Sequence, residues 1–345
     1  MTTVKDIFAF LCEKAPLETQ MSFDNAGFLA GREDSAVTSV LVALDITDSV
    51  IAEAAGCGAE LIVSHHPVCF TPMKSVTTND LTGRKFVAML QCGISAVCMH
   101  TNLDAAAGGV NDALCAALGA ENLGLLSPEN DAMSRLCRFD KPMEFSDFLA
   151  HVKAALNANG LRYSGPEKPV QLFGICGGAG SDSIHDAKAR GCDAFVTADV
   201  KHHQFIWADE LDIDLVDAGH FSTENVVVPV LAGWIADRFP GVEVRIAKSY
   251  TQPEKFYDTQ SRRLARASGL AFARRLALCS LLHTMYWRGR SAPAALETMA
   301  KGVSTCQDAT TSARTTALAR AAAQQVTPAA ATTTKAAAIP ATPAG

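Results

Sequence analysis

The sequence predicts an α/β protein of two interleaved α/β lobes from a diverged duplication, followed by a C-terminal tail that is disordered or partly helical. Three observations carry this. From about Val37 short apolar runs alternate with helix-patterned segments, as they do where strands are joined through helices. The order strand, turn, helix, Gly-Cys, strand, His-His then occurs twice, in "DSVIAEAAGCGAELIVSHH" and "DSIHDAKARGCDAFVTADVKHH". Each copy is followed by a strand ending in His-x-x-x-acid, in "ISAVCMHTNLD" and "IDLVDAGHFSTE". Any one element could arise by chance; the helix, the Gly-Cys pair, the His-His pair and the His-x-x-x-acid unit in the same order are a repeat.

In chain order, "MTTVKDIFAFLCEKAP" reads as a short amphipathic helix capped by Thr3, with Asp6 in its first turn. It has no basic segment leading into a long apolar one, so a signal peptide is not expected. "SVLVALDI" is a buried strand, "TDSVIAEAAGCG" a helix ending near Gly56 and Gly58, and "AELIVS" the next strand. "RKFVAMLQCG", "ISAVCMH" and "NDALCAALG" continue as helix, strand and helix. Residues 128–170 are less regular, with one helix expected at "FSDFLAHVKAALNANG". The first lobe is expected over residues 1–127 and the second over 128–257.

Charge separates the tail. Residues 258–345 carry a balance of +8 and residues 1–257 one of −14, giving the chain its net −6. "SRRLARASGLAFARRLALCSLLHTMYW" has the pattern of a basic amphipathic helix, and the Ala/Thr/Ser/Pro-rich stretch from about Ser304 is of low complexity. No aromatic residue or motif organises that charge, so neither nucleic acid nor a membrane surface is an expected partner. No apolar run is long enough to span a bilayer. The eleven cysteines lie scattered in apolar stretches without a C-x-x-C pair, which fits reduced thiols in a cytoplasmic protein.

The candidate functional groups gather where strands end: His65, His66, His100, Asp104, His202, His203, His220 and Glu224. Strand carboxyl ends are where open α/β sheets place ligands. In "LIVSHHPVCF" two adjacent histidines follow a buried strand. One extended segment would point them to opposite faces, but a turn just past the strand can aim both at one target. Imidazoles and carboxylates without thiolate suit Zn, Mn, Fe, Co or Ni. There are enough ligands for two divalent ions between the lobes, with a carboxylate bridging them, and such a pair activates water at neutral pH. "GGAGSD" (Gly177 to Asp182) is either a phosphate cradle or a tight turn. Asp24 and Asn25 are either cavity residues or turn formers.

"FDNAGFLAG", "SHHP", "HTNLDAAAGGVNDALCAALG", "CGGAGSD" and "DAGHFSTE" together resemble the GTP cyclohydrolase I type 2 family, also called dinuclear metal-centre hexameric proteins. The resemblance runs from the N-terminal helix to about Tyr257. It implies that His65 and Asp104 hold one metal, His66 and His220 the other, and that Glu224 bridges both. It further implies a homohexameric ring and a small-molecule substrate, GTP, whose imidazole ring is opened with release of formate. His100 and His203 are the candidates for moving protons; His100 could instead be a ligand or orient Asp104. The chain departs from the family at Thr197-Ala198-Asp199, where Thr-Gly-Asp is usual, and its tail has no counterpart there. A non-catalytic metal-binding regulator or scaffold is the alternative function.

Overall fold

The computed structural model describes residues 1–129 and 131–257; the basic helix and low-complexity stretch expected further on lie outside them. In chain order the elements are α1 (Val4–Lys14), β1 (Gly27–Ala30), β2 (Ser39–Ala43), α2 (Asp48–Cys57), β3 (Leu61–Ser64), α3 (Leu81–Gln91), β4 (Ser95–Cys98), α4 (Thr101–Ala105) and α5 (Val110–Ala117). There follow β5 (Glu121–Ser127), β6 (Asp131–Met143), α6 (Phe145–Ala155), β7 (Arg162–Ser164), β8 (Val170–Ile175), α7 (Ile184–Ala189), β9 (Ala194–Thr197), α8 (His202–Leu211), β10 (Asp214–Asp217), α9 (His220–Glu224), α10 (Val228–Arg238) and β11 (Glu243–Ile246). Thr3 caps α1 in a reciprocal box with Asp6, and Gly58 closes α2 in the left-handed conformation that costs glycine least.

Two sheets result, and their strand orders are related. The first runs β1-β4-β3-β2-β11 and the second β7-β10-β9-β8-β6-β5. In each, three consecutive strands pair in parallel, β2-β3-β4 and β8-β9-β10. In each, the strand that precedes them returns antiparallel on the third. This is the duplication that the sequence repeat predicts.

The parallel strands are apolar on both sides because both faces are covered. Val40, Val42, Leu61, Val63 and Val97 pack with α1 and α10, while Leu41, Ile62 and Ala96 point the other way onto α2 and α3. In the second sheet Phe173, Ile175, Val196 and Val216 meet α5 and α6, and Phe195 and Leu215 meet α7 and α8.

The lobes do not divide at residue 127. β5 belongs to the second sheet, and α10 and β11 return to the first. The cause is in the residues: Val228, Leu231 and Ile235 form an apolar stripe on α10, and β11 completes the edge of β2 from Glu243↔Ser39 to Ile246↔Val42. A second tie is Arg135 of β6, 4 % exposed. It donates to Asp112 Oδ1 at 2.7 Å, to the carbonyls of Ala132 and Met133, and at 3.2 Å to the Ala105 carbonyl that ends α4. Arg135→Ala leaves these acceptors unmatched and is expected to lower unfolding free energy by about 3 kcal/mol. A urea midpoint unchanged from wild type would refute that.

Candidate metal centre

The carboxyl ends of β3, β4 and β10 converge. β3 stops at Ser64, and Ser64 Oγ donates to the His66 carbonyl at 2.7 Å, turning the chain between the two histidines. Pro67 follows and prevents the strand from continuing. His65 is thus fully buried, with its Nδ1–H donating to the Met99 carbonyl at 2.9 Å. A carbonyl can only accept, so Nε2 is left as the ligand-type nitrogen. The two His-x-x-x-acid units open short helices after β4 and β10. One turn of helix brings residue i+4 beside residue i, which sets Asp104 near His100 and Glu224 near His220.

Four imidazoles share one arrangement. Each gives its Nδ1 to an oxygen acceptor: His65 to Met99 O, His66 to Asp45 at 2.9 Å, His100 to Asp24 at 2.7 Å and His220 to Asp199 at 2.8 Å. Their other nitrogens face the cluster. Ligand atoms of His65, Asp104 and Glu224 lie within 4.8 Å of one another, as do those of His66, His220 and Glu224, and those of His65, His66 and His100. Carboxylate or carbonyl partners behind the imidazoles are the usual support of histidine metal ligands.

The donor set fits a cation. His65 Nε2, Asp104 Oδ1 and Glu224 Oε2 are buried without a hydrogen-bond partner. His65 Nε2 is 3.6 Å from Asp104 Oδ1 and 3.7 Å from Glu224 Oε2, too far for hydrogen bonds. Glu224 Oε2 is 2.8 Å from His66 Nε2 and 2.9 Å from His220 Nε2, yet aligned with neither. Three orphaned polar atoms at one point are costly unless a positive ion satisfies them. Hence the residues present could hold metal, and Glu224 is the one carboxylate common to two of the groups.

Burial alone would raise the Glu224 carboxyl, but the imidazoles of His65, His220 and His66 hold it well below the usual carboxylate range. Burial likewise opposes charge on His66 and His220, yet Asp45 and Glu224 push His66 up to about 10 and Glu224 and Asp199 push His220 up to about 9. Burial raises Asp104 to about 6. In the metal-free chain the stability given by the raised histidines is complete below their ordinary pKa and disappears as pH climbs through about 9 to 10. A metal takes the place of those protons. Loading at about pH 7.5 is therefore expected to release about two protons per chain, read by calorimetry in buffers of different ionisation enthalpy; heats independent of buffer would contradict it.

Not every expected residue arrives. His202 and His203 open α8, five and six residues past the end of β9, and both are exposed; the His203 ring rests on Trp207 at 4.8 Å. The places matching His65 and His66 are Ala198 and Asp199. Asp199 holds a left-handed φ of +53° and supports His220. The second His-His pair is thus a repeat in letters and not in position, and His203 is in none of the three clusters. The loop at Gly177 to Asp182 is a tight turn: the Gly177, Gly178 and Gly180 amides donate to Asn111, Thr223 and Thr197. Asp24 supports His100 and also accepts from the Thr101 backbone N–H and hydroxyl. Asp45 was not singled out by the sequence; a carboxylate just past a strand end, parallel to the His-His pair, is the signal that could have found it.

These features define a class: a two-lobed α/β protein with a buried histidine–carboxylate centre able to hold metal at the ends of its parallel strands. The chain belongs to the Duf34/NIF3 (NGG1p interacting factor 3) family, whose pattern matches residues 2–254. A "GTP cyclohydrolase 1 type 2 homolog" of Clostridium perfringens is 32% identical over 260 residues, covering 73% of this chain and 99% of that one. A protein of the same description from Streptomyces coelicolor is also 32% identical, over 267 residues, covering 73% and 94%. Among solved structures, a Staphylococcus aureus hypothetical protein superposes with a TM-score of 0.69 at 28% identity over 74% of this chain and 99% of its own. A Bacillus cereus protein related to NIF3 gives 0.70 at 22%, with the same coverage, and supports the fold. No helix among the described residues is long and apolar enough to cross a membrane.

Proposed function

We propose that the protein is a dinuclear metal-dependent hydrolase that opens the imidazole ring of GTP and releases its C8 as formate. The observation that carries the metal half of this reading is the set of four imidazoles with Nδ1 anchored, of which His65, His66 and His220 gather on Glu224 and His100 joins His65 and His66. His65 with Asp104 would hold one divalent ion (Zn, Mn, Fe, Co or Ni) and His66 with His220 the other, Glu224 serving both. Bound there, two ions activate water and offset negative charge that develops on the substrate. The substrate half is supported by the description of the relatives, which are named as cyclohydrolase homologues.

Two waters are consumed: one adds at C8 and opens the ring, the second frees C8 as formate. Each transfer needs a group that accepts a proton from water and returns it to a departing nitrogen. His100 fits that role. Asp24 accepts its Nδ1–H at 2.7 Å, and its free Nε2 faces His65 and His66, so the ring can take and give back a proton at one fixed atom. His203 is exposed and in none of the three clusters, so the role is given to His100 alone.

The test is formate release from GTP by the metal-replete chain, with metal content determined on the same samples and Glu224→Ala as control. Turnover lost in the variant supports the reading. Two metals per chain with no formate would instead support a regulatory or scaffold protein. A homohexamer, carried over with the family resemblance, would appear in light scattering as the mass of six chains.

A further inference from the structure

We propose that Phe70 is the stacking platform for the planar ring of the substrate, and that this chain recognises the ring and not its phosphates. The proposal rests on the ring-opening function above and adds which part of the substrate is held. Phe70 is 49% exposed although the ring it touches, that of His100, is largely buried, its side chain 12% exposed. Its ring meets that of His100 at 5.4 Å and 72°, and the His100 ring lies 5.2 Å from His65 and 5.6 Å from His66. An apolar face thus stands open one imidazole away from the candidate ligands.

Its position is fixed. Asn25 Nδ2 donates to the Cys69 carbonyl at 2.9 Å, and the preceding Asp24 accepts from both His100 and Thr101. The segment carrying Phe70 is therefore tied to the group that orients His100. Phe23, 63% exposed, precedes Asp24 on the same strap. An exposed aromatic ring offers a π-face on which any purine stacks regardless of its substituents.

The charges speak against phosphate. Asp24, Asp45, Asp104, Asp199 and Glu224 form ion pairs with histidine alone; among the described residues no lysine or arginine pairs with any of them. Two divalent ions would not outweigh five carboxylates. Arg162 and Lys255, in the hollow of about 290 Å³ that Asp199 also lines, share it with Asp217 and Glu254, and Arg162 is paired with Asp217. The glycine-loop amides described above already have acceptors. Around these carboxylates and glycine amides a triphosphate would find no surplus positive charge.

Equilibrium binding of 7-deazaguanosine and its 5′-triphosphate, which lack the imidazole and cannot be opened, tests this on the metal-replete full chain. The two are expected to bind within about threefold of each other. Phe70→Ala should weaken both by roughly 5- to 100-fold, the range seen when a base-stacking ring is removed, with metal content unchanged, and Phe70→Trp should restore binding. A triphosphate preference above about 30-fold, or unaltered binding by Phe70→Ala, overturns the proposal. So does a Phe70→Ala variant that changes only the assembly mass, since Phe70 would then cover a second copy. Formate release with normal binding by Phe70→Ala sinks the platform alone; no formate and no binding of either probe sinks the GTP reading and the platform together.

Discussion

Glu224→Ala is expected to empty both metal positions, leaving close to no metal per chain after dialysis, whereas His65→Ala should retain about one ion. The asymmetry follows from the geometry. Glu224 Oε2 lies within 3.7 Å of the ligand nitrogens of His65, His66 and His220, while His65 is outside the group of His66, His220 and Glu224. Elemental analysis of the purified variants decides the matter. Equal metal in wild type and Glu224→Ala would show that the carboxylate is not shared. Substitutions behind the ligands calibrate the scale: losing the Asp45 or Asp199 support should weaken metal binding by about 10- to 100-fold without abolishing it.

Gly178→Ala is expected to be nearly as damaging without removing any ligand. Gly178 has φ +61°, and a Cβ there would sit 2.1 Å from Glu224 Oε1 and 3.3 Å from His220 Cε1. On an exposed glutamate that clash would be relieved by a rotation. Here the carboxylate is buried among three imidazoles, so any retreat dislocates the centre. Adding the cost of a left-handed alanine, about 1–2 kcal/mol, the metal-free variant should lose about 2–4 kcal/mol of stability, and metal retention should fall with it. Gly191→Ala is the control: its φ is +72° but a Cβ would meet nothing within 4 Å. It should show the backbone cost and keep its metal. Identical denaturation midpoints and metal contents for the two variants would remove the steric argument.

Much of this centre was legible because its groups obey local rules. His100 with Asp104 and His220 with Glu224 are one helical turn apart after a buried strand, a spacing that survives in the letters. The parallel strands are apolar runs flanked by helix patterns, and they fell where expected. What failed was position read from identity. His202-His203 matched His65-His66 as text, but β9 ends at Thr197 and the equivalent place belongs to Ala198-Asp199. The supporting carboxylates Asp45 and Asp199 escaped because their partners lie 21 residues away in sequence, where no periodicity reaches. β6 was hidden for another reason: Lys141 and Pro142 interrupt its alternation, and its ladder with β8 shifts register between Arg138 and Met143. The return of α10 and β11 to the first sheet is a tertiary decision that no window of sequence contains.

The pairing of β11 with β2 has a bearing on how the protein is made. A ribosome produces residues 39–43 long before residues 243–246, so the first sheet leaves the exit tunnel with the edge of β2 bare and the apolar seat of α10 uncovered. Almost the whole second lobe must be synthesised before that edge is closed. Contacts so distant along the chain are slow to form, and an uncovered strand edge invites pairing with another nascent chain. Synthesis halted before β11 should therefore yield a species that holdase chaperones retain and proteases clear.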